Sequence, residues 1–408
     1  MTMRIEAKRL IPGRGSVLDD GVVVLEGPVI AYAGPRDEAP ETPGAEVVST
    51  DAVLPGLWEC HGHFMGVYNA NIDEVFATRP QITTARSVGD AMRALQAGFT
   101  SVREVGGVGV FLAVAIAEGQ IPGPNIYASG ATLSMTGGHG DSHGLPLEHS
   151  RALAAAHWGE DGVVDGPDQA RAGVRRLLRA GAKVIKIHAS GGVMSQIDDP
   201  HLPQFSKAEL EAIVDEATRM EVLVAAHTHG KRGMMAAIEA GVKTLEHGTY
   251  LDEEVADAMV DNDVILVPTR FIVELLMSEG EERGMPAYAK AKIKATADNH
   301  KNAVSLAIEK GVTIAMGTDI FGSNLWGRNA EELPLLVDCG LSPLQAIEAA
   351  TATGPATLGP KAPNSGRLIE GMDADVICVS GDPSADVSVL TDPNNVTHVF
   401  KGGVKYKG

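Results

Sequence analysis

The sequence predicts a (β/α)8 barrel spanning residues 56–364, with a small β-sandwich domain built from residues 1–55 and 365–408. Two patterns carry this. In the middle of the chain, apolar strand-like runs alternate with stretches of helical spacing, the pattern of a parallel sheet with right-handed crossovers. At both ends, short β-branched runs are separated by turn residues, and each end is too short to fold alone. A doubly wound open sheet shares the alternation. The count decides against it, since about eight strand-like runs fall between Pro55 and Thr318.

The elements follow in order. RIEAKRLI, GVVVLEG and VIAYAG read as the N-terminal strands. Leu57–His63 reads as the first barrel strand. FTSVREV, NIYASG, AKVIKIHAS, EVLVAAH, VKTLEHG, VILVPT and VTIAMGT supply the rest. Helical spacing marks Asp168–Ala180, Lys207–Met220, Lys231–Ala240, Asp252–Asp261 and Ala287–Lys310. GRLIEG, ADVICVS and VTHVFKGGVKYK close the chain as strands, with Gly402-Gly403 as a hairpin turn.

Composition narrows the functional class. Of 408 residues, 44% are hydrophobic and 21% charged, which excludes a disordered tail protein and a coiled coil. Gly numbers 47, a frequency suited to many strand–helix junctions. The net charge of −19, with no basic run, argues against nucleic-acid and anionic-membrane partners. No apolar run reaches the roughly 20 residues of a membrane span. Three cysteines (Cys60, Cys339 and Cys378) fit neither a disulfide framework nor a CxxC site. The opening stretch MTMRIEAKRLIPGRG lacks an apolar targeting core, so a cytoplasmic location is the expectation.

Nearly every notable polar residue falls at the C-terminal end of a strand-like run, the edge that carries chemistry in barrels. His61-Gly62-His63 places two imidazoles on one strand face, with Gly62 giving clearance. His227-Thr228-His229 follows EVLVAA, and His247 follows VKTLE. A lone histidine at such a place is as often a packing residue. Histidines at three strand ends point to a metal, since neutral imidazole is the commonest zinc ligand. Asp319 follows VTIAMGT, as a helix cap or, beside clustered histidines, as a carboxylate ligand or proton shuttle. Lys186 shares a strand face with Val184 and His188. A buried ammonium is costly unless paired or modified. Two readings stay open: an ion pair with Asp319, or a CO2 adduct whose anionic carbamate bridges two cations. Arg103 and Glu104 end the second strand and read as a buried ion pair.

This set resembles the metal-dependent amidohydrolase superfamily along the whole chain: HGH on the first strand, Lys186 on the fourth, His227 on the fifth, His247 on the sixth and Asp319 on the eighth. TGGHGD (Thr136–Asp141) and ASGGVMS (Ala189–Ser195) resemble its prolidase-like branch of Xaa-Pro and Xaa-Arg/Lys dipeptidases and N-acyl amino acid hydrolases, mycotoxin amidases included. The resemblance implies two divalent metal ions, by expectation Zn2+. His61, His63 and Asp319 would hold one. His227 and His247 would hold the other, bridged by carbamylated Lys186 and a hydroxide. It implies that His139 polarises the substrate carbonyl and that Asp319 shuttles the proton. The Gly191-Gly192-Val193 backbone would receive the substrate's free carboxylate. Relatives often carry Tyr at the position of His229, which is therefore a substrate contact or a support for the ligands. Glu59 replaces an Asp common two residues before the first metal histidine.

The expected activity is hydrolysis of the amide bond of dipeptides or N-acyl amino acids, by a homo-oligomer of the kind such relatives form. Cyclic amides, carbamates and ureas are the alternative substrates. A mononuclear deaminase lacks the strand-four Lys and carries a Glu soon after the fifth-strand His, where this chain has Thr-His-Gly. Phe64, Met65, Tyr68, Phe321, Trp326 and Arg328 flank the metal motifs as possible pocket residues. His143 lies near the His139 loop and His188 beside Lys186. His149, His157, His201, His300 and His398 carry no expectation of chemistry.

Overall fold

The computed structural model describes residues 2–408. Its α/β architecture holds one seven-stranded mixed sheet and two four-stranded parallel sheets.

The two chain ends meet in the seven-stranded sheet. Glu46–Pro55 lies at its centre, and Thr2–Leu10 runs parallel to it and antiparallel to Leu18–Glu26. Val376–Val379 adds on antiparallel to Glu46–Pro55 and leads to the closing hairpin Val396–Lys401 and Val404–Lys407. Period-two alternation turns Met3, Ile5 and Ala7 inward, where they pack with Leu25, Val53, Cys378 and Phe400. The β-sandwich expected of these segments is laddered as one continuous sheet. An antiparallel bridge from Val29 to Asp373 ties its far edge back toward Val376–Val379, so the sheet wraps around its own core.

The parallel sheets carry the middle of the chain. One runs Ile320–Gly322, Leu57–Val67, Phe99–Glu104, Asn125–Ala128. The other runs Ile265–Val267, Thr244–His247, Val224–Thr228, Ile185–His188. Their strands are buried on both faces, as parallel sheets under helices are. Short links join the sheets at both seams. Leu133 N donates to Lys186 O at 2.8 Å and its carbonyl accepts from His188 N at 3.0 Å. At the other seam Leu266 bridges Ile314, and Cys60 N donates to Met316 O at 3.0 Å. VTIAMGT, expected as a full strand, contributes only this bridge, and the laddered residues follow it at Ile320–Gly322.

Local chemistry sets the helix starts. Pro167 begins Pro167–Ala180 at a position where its missing N–H costs nothing. Ser206 and Glu209 form a reciprocal capping box before Lys207–Arg219. Asp252 caps Glu253–Asp261 by accepting from Val255 N. Pro80–Gln96, Leu147–Trp158 and Arg270–Glu279 are helices absent from the sequence reading. Among the described residues no helix is long and apolar enough to cross a membrane.

Candidate functional site

One cavity opens at the C-terminal ends of the parallel strands, and the histidines converge there. His61 and His63 come from Leu57–Val67, Lys186 and His188 from Ile185–His188, His227 and His229 from the end of Val224–Thr228, and His247 from Thr244–His247. Asp319 completes the set from the turn before Ile320–Gly322.

Two donor sets could each hold one cation: His61, His247 and Asp319, and His227, His229 and His247. Within each, the ligand atoms lie within 4.8 Å of one another. Asp319 Oδ1 stands 3.1 Å from His63 Nε2 and 3.5 Å from His61 Nε2, so His63 borders the first set. Lys186 Nζ lies 3.4 Å from His61 Nε2. Among the described residues no contact of ion-pair length joins Lys186 to Asp319, though Asp319 and Glu246 are close enough to act on the Lys186 charge. His229, expected only as a substrate contact or support, stands among the nitrogen donors.

The outer contacts test whether this set fits a metal. His61 Nδ1 bonds Glu246 Oε2 at 2.7 Å, His63 Nδ1 bonds Gly106 O at 2.8 Å, His247 Nδ1 bonds Thr269 Oγ1 at 2.8 Å, and His229 Nδ1 bonds Thr249 Oγ1 at 2.6 Å. Each imidazole is thus held through one nitrogen and offers Nε2 to the centre, the arrangement a ligating histidine needs. Burial pushes the ring pKa of His61 down to about 4 and that of His229 down to about 3, and drives His227 and His247 well below the usual value. These rings are neutral near pH 7 and keep a lone pair for a cation. Burial also lowers Lys186 to about 8, so part of its amine is neutral near neutral pH.

Strain marks the same place. His247 (φ 70°), Thr269 (φ 56°) and Asp319 (φ 60°) all occupy the left-handed region. His300 helps to hold His247, with Nε2 3.0 Å from the His247 carbonyl and Nδ1 3.1 Å from Arg270 Nη1. Its position inside a long helix gave no sequence signal for this.

Four expectations change. Arg103 does not pair with Glu104. Its Nη2 reaches both carboxylate oxygens of Glu246 at 2.8 Å, while burial pushes Glu104 up to about 8 and its Oε1 accepts from Gly109 N. Gly62 gives clearance to Trp326, whose ring would lie 2.6 Å from a Cβ there. Gly192 does not offer its N–H to a substrate, because that group donates to Asp198 Oδ2 at 2.8 Å, and Gly191 N donates to Leu202 O. Gly192 serves His139 instead: a Cβ would stand 2.1 Å from that ring, so only glycine lets the imidazole seat. Phe64 stacks on Trp326 in the core and Tyr68 is largely exposed, whereas Met65, Phe321 and Val193 line the cavity.

His139 lines the cavity stacked on His227, with ring centroids 4.3 Å apart. The lining also includes apolar residues, among them Ile72, Phe76, Trp158, Ile272, Leu276 and Phe321. Phe76, Trp158 and the Arg270–Glu279 residues escaped the sequence reading because an apolar pocket wall carries the same residue types as a core.

Residues 52–405 match the amidohydrolase family. The chain is 43% identical to ochratoxinase from Aspergillus niger over 418 aligned positions, covering 99% of this chain and 86% of that one. The crystal structure of A. niger ochratoxinase superposes with a TM-score of 0.91 at 41% identity, covering 100% of this chain and 96% of that one. A crystal structure of a Xaa-Pro dipeptidase with bound methionine gives a TM-score of 0.89 at 31% identity, covering 100% of both chains.

Proposed function

The chain belongs to the amidohydrolase family and is a hydrolase of amide bonds, and from this we propose that it cleaves dipeptides or N-acyl amino acids, those with a bulky apolar or aromatic acyl group foremost. One observation carries the reading: a cluster of metal-competent donors and a set of large apolar and aromatic side chains line the same cavity. The similarity to ochratoxinase and to a Xaa-Pro dipeptidase supports the substrate class. The main-chain links at both seams support reading the two parallel sheets as a (β/α)8 barrel, with residues 56–364 as the catalytic unit beside the composite β domain.

His61, His63 and Asp319 would hold one divalent cation. His227 and His247 would hold a second, with His229 close enough to join them, and carbamylated Lys186 would lie between the two. Zinc suits this nitrogen and carboxylate set. Such ions supply a strongly acidified water near neutral pH and draw charge from a carbonyl oxygen. The residues themselves do the rest. Asp319, with 24% of its side chain open to the cavity, would accept the proton of the attacking water and pass it to the leaving amine. His139 would face the place where the carbonyl oxygen gathers charge, its ring stacked on His227 at the cavity wall. The apolar side chains would seat the acyl group and exclude water.

Amine release from a panel of dipeptides and N-acyl amino acids, each as free acid and as amide, tests the reading with zinc-loaded protein and bicarbonate. Turnover of substrates with a bulky apolar or aromatic acyl group above those with a small one supports it. Two bound metals with no turnover across the panel would sink it and turn the search to lactams, carbamates and ureas.

A further inference from the structure

A loop and a helix form a clamp around His139 that the reaction scheme above does not use. His139 Nδ1 lies 2.7 Å from Ser195 Oγ. The Ser195 hydroxyl also contacts Asp198 Oδ1, a carboxylate that can only accept. The serine proton therefore goes to Asp198, and its lone pair accepts from His139 Nδ1–H. Asp198 is nearly sealed from solvent, at 4% exposure, and its Oδ2 takes the Gly192 N–H at 2.8 Å and stands 3.4 Å from Gln204 Nε2. Gln204 Oε1 in turn accepts from His139 N at 3.0 Å.

The long helix Ala287–Glu309 locks this loop from above. Lys292 Nζ reaches three carbonyl oxygens, Gly192 at 3.0 Å, Ser195 at 2.8 Å and Asp198 at 2.6 Å. An ammonium has three N–H donors, and here three carbonyls of one loop surround it. Its charge also lies 3.5 Å from Asp198 Oδ1. One turn earlier on the same helix, Tyr288 OH donates to Met194 O at 3.3 Å.

We propose that Lys292 and Asp198, acting through Ser195, are positioning residues that fix the His139 ring with Nδ1 as donor and Nε2 presented to the substrate. The proposal rests on the amidase reading for what His139 does, but not for how the ring is held. Lys292, Ser195 and Asp198 bond none of the metal-competent donors themselves, but their loop also reaches His227, whose Nε2 lies 3.4 Å from Gly191 O, so the His139→Ala background is needed to separate an effect through His139 from one through His227.

The test is a double-mutant cycle. Asp198→Asn, Ser195→Ala and Lys292→Met are made singly and in a His139→Ala background. kcat and KM are measured on the metal-loaded protein with an N-acyl amino acid. Each single variant should lose about 100-fold in kcat with little change in KM, the scale of a misplaced catalytic group. In the His139→Ala background the same changes should cost nothing more. Equal losses in both backgrounds would overturn the proposal. Selective 15N labelling of histidine reads the ring without reference to turnover, with the His139 signal identified by its absence in His139→Ala. Wild type should show Nδ1 protonated in one fixed hydrogen bond, and Ser195→Ala a ring nitrogen released from it. An unchanged ring signal in Ser195→Ala and Asp198→Asn overturns the clamp. A wild type inert toward every amide would overturn the amidase reading, and the ring spectra would still decide the clamp.

Discussion

Arg103 and Glu246 are both fully buried, and the guanidinium Nη2 of one lies 2.8 Å from each carboxylate oxygen of the other. They belong to different parallel sheets, Phe99–Glu104 and Thr244–His247. Burial would raise the Glu246 pKa, but Arg103 and the His61 bond hold it well below the usual carboxylate range. The pair therefore delivers a fixed negative oxygen to His61 Nδ1 at 2.7 Å.

Glu246→Gln should cost about 3–5 kcal/mol, because it leaves Arg103 buried and uncompensated. It should also weaken metal binding by about 10–100-fold, since the outer partner of a ligating histidine is lost. Replacing both partners by methionine should recover much of the stability and none of the metal affinity. Denaturant unfolding and metal titration of the three proteins check this. Metal binding that returned with stability would show that the pair merely holds the fold.

Asp319 sits at φ 60°, a conformation asparagine tolerates better than most residues. Asp319→Asn should therefore keep the fold and lose about 10²–10⁴-fold in kcat, the usual weight of a positioned acid–base group. Asp319→Ala should lose stability as well, because alanine pays for the left-handed backbone. Circular dichroism beside steady-state kinetics separates the two. An Asn variant within a few-fold of wild type would remove Asp319 from the proton path.

The sequence exposed what periodicity and spacing carry. His61 and His63 two apart on a strand, and His227, His247 and Asp319 at strand ends, all reach the cavity because strand geometry aims them there. Partners set by three-dimensional packing were hidden. Nothing local distinguishes Glu246 from any strand carboxylate, and Arg103 was given to its neighbour Glu104 because only sequence adjacency was visible. Lys292 lies in the long helical stretch Ala287–Lys310, where helical spacing carries no sign of its bonds to the loop. The Gly191-Gly192-Val193 backbone, expected from the resemblance to receive a carboxylate, has its Gly192 N–H taken by Asp198, six residues on within the loop, and its Gly191 N–H by Leu202 O. The VTIAMGT segment has strand composition, yet it pairs too briefly to form a ladder.

The buried rings make the metal-free protein acid-labile. His61, His229 and His300 have folded pKa values of about 4, 3 and 3, lowered by burial from 6.5, and His188, His227 and His247 are lowered further in kind. For a lowered histidine the unfolded chain takes up protons first, so stability is full above pH 6.5 and falls as pH drops toward the folded value. Glu59, Glu104 and Glu332, raised by burial to about 7, 8 and 8, act in the opposite sense and stabilise as pH falls from 8 to 4.5. Asp90 and Asp375, raised by burial to about 6, join these acids below pH 6, so between pH 6.5 and 4.5 six histidines act against five acids and the net fall is modest. His61 alone is worth about 3 kcal/mol across its range. Unfolding of the chelator-treated protein should show stability falling steadily over that window. A flat profile would mean that the rings are not held neutral.

Lys186 separates two pictures of the centre. Its Nζ has His61 Nε2 at 3.4 Å and, among the described residues, no carboxylate in ion-pair contact, with Asp319 and Glu246 acting on it only from farther off, so an unmodified ammonium among the metal-competent donors would oppose a cation. A carbamate reverses that charge, and burial leaves enough neutral amine near pH 8 to react with CO2. Lys186→Ala should therefore lose bound metal and turnover together. Short carboxylic acids, small enough for the space left by the side chain, should restore part of both. Wild type refolded without bicarbonate should bind less metal than wild type refolded with it. Metal content by elemental analysis, read beside kcat, decides the matter: a Lys186→Ala protein that keeps two metals and full rate removes the carbamate from the mechanism.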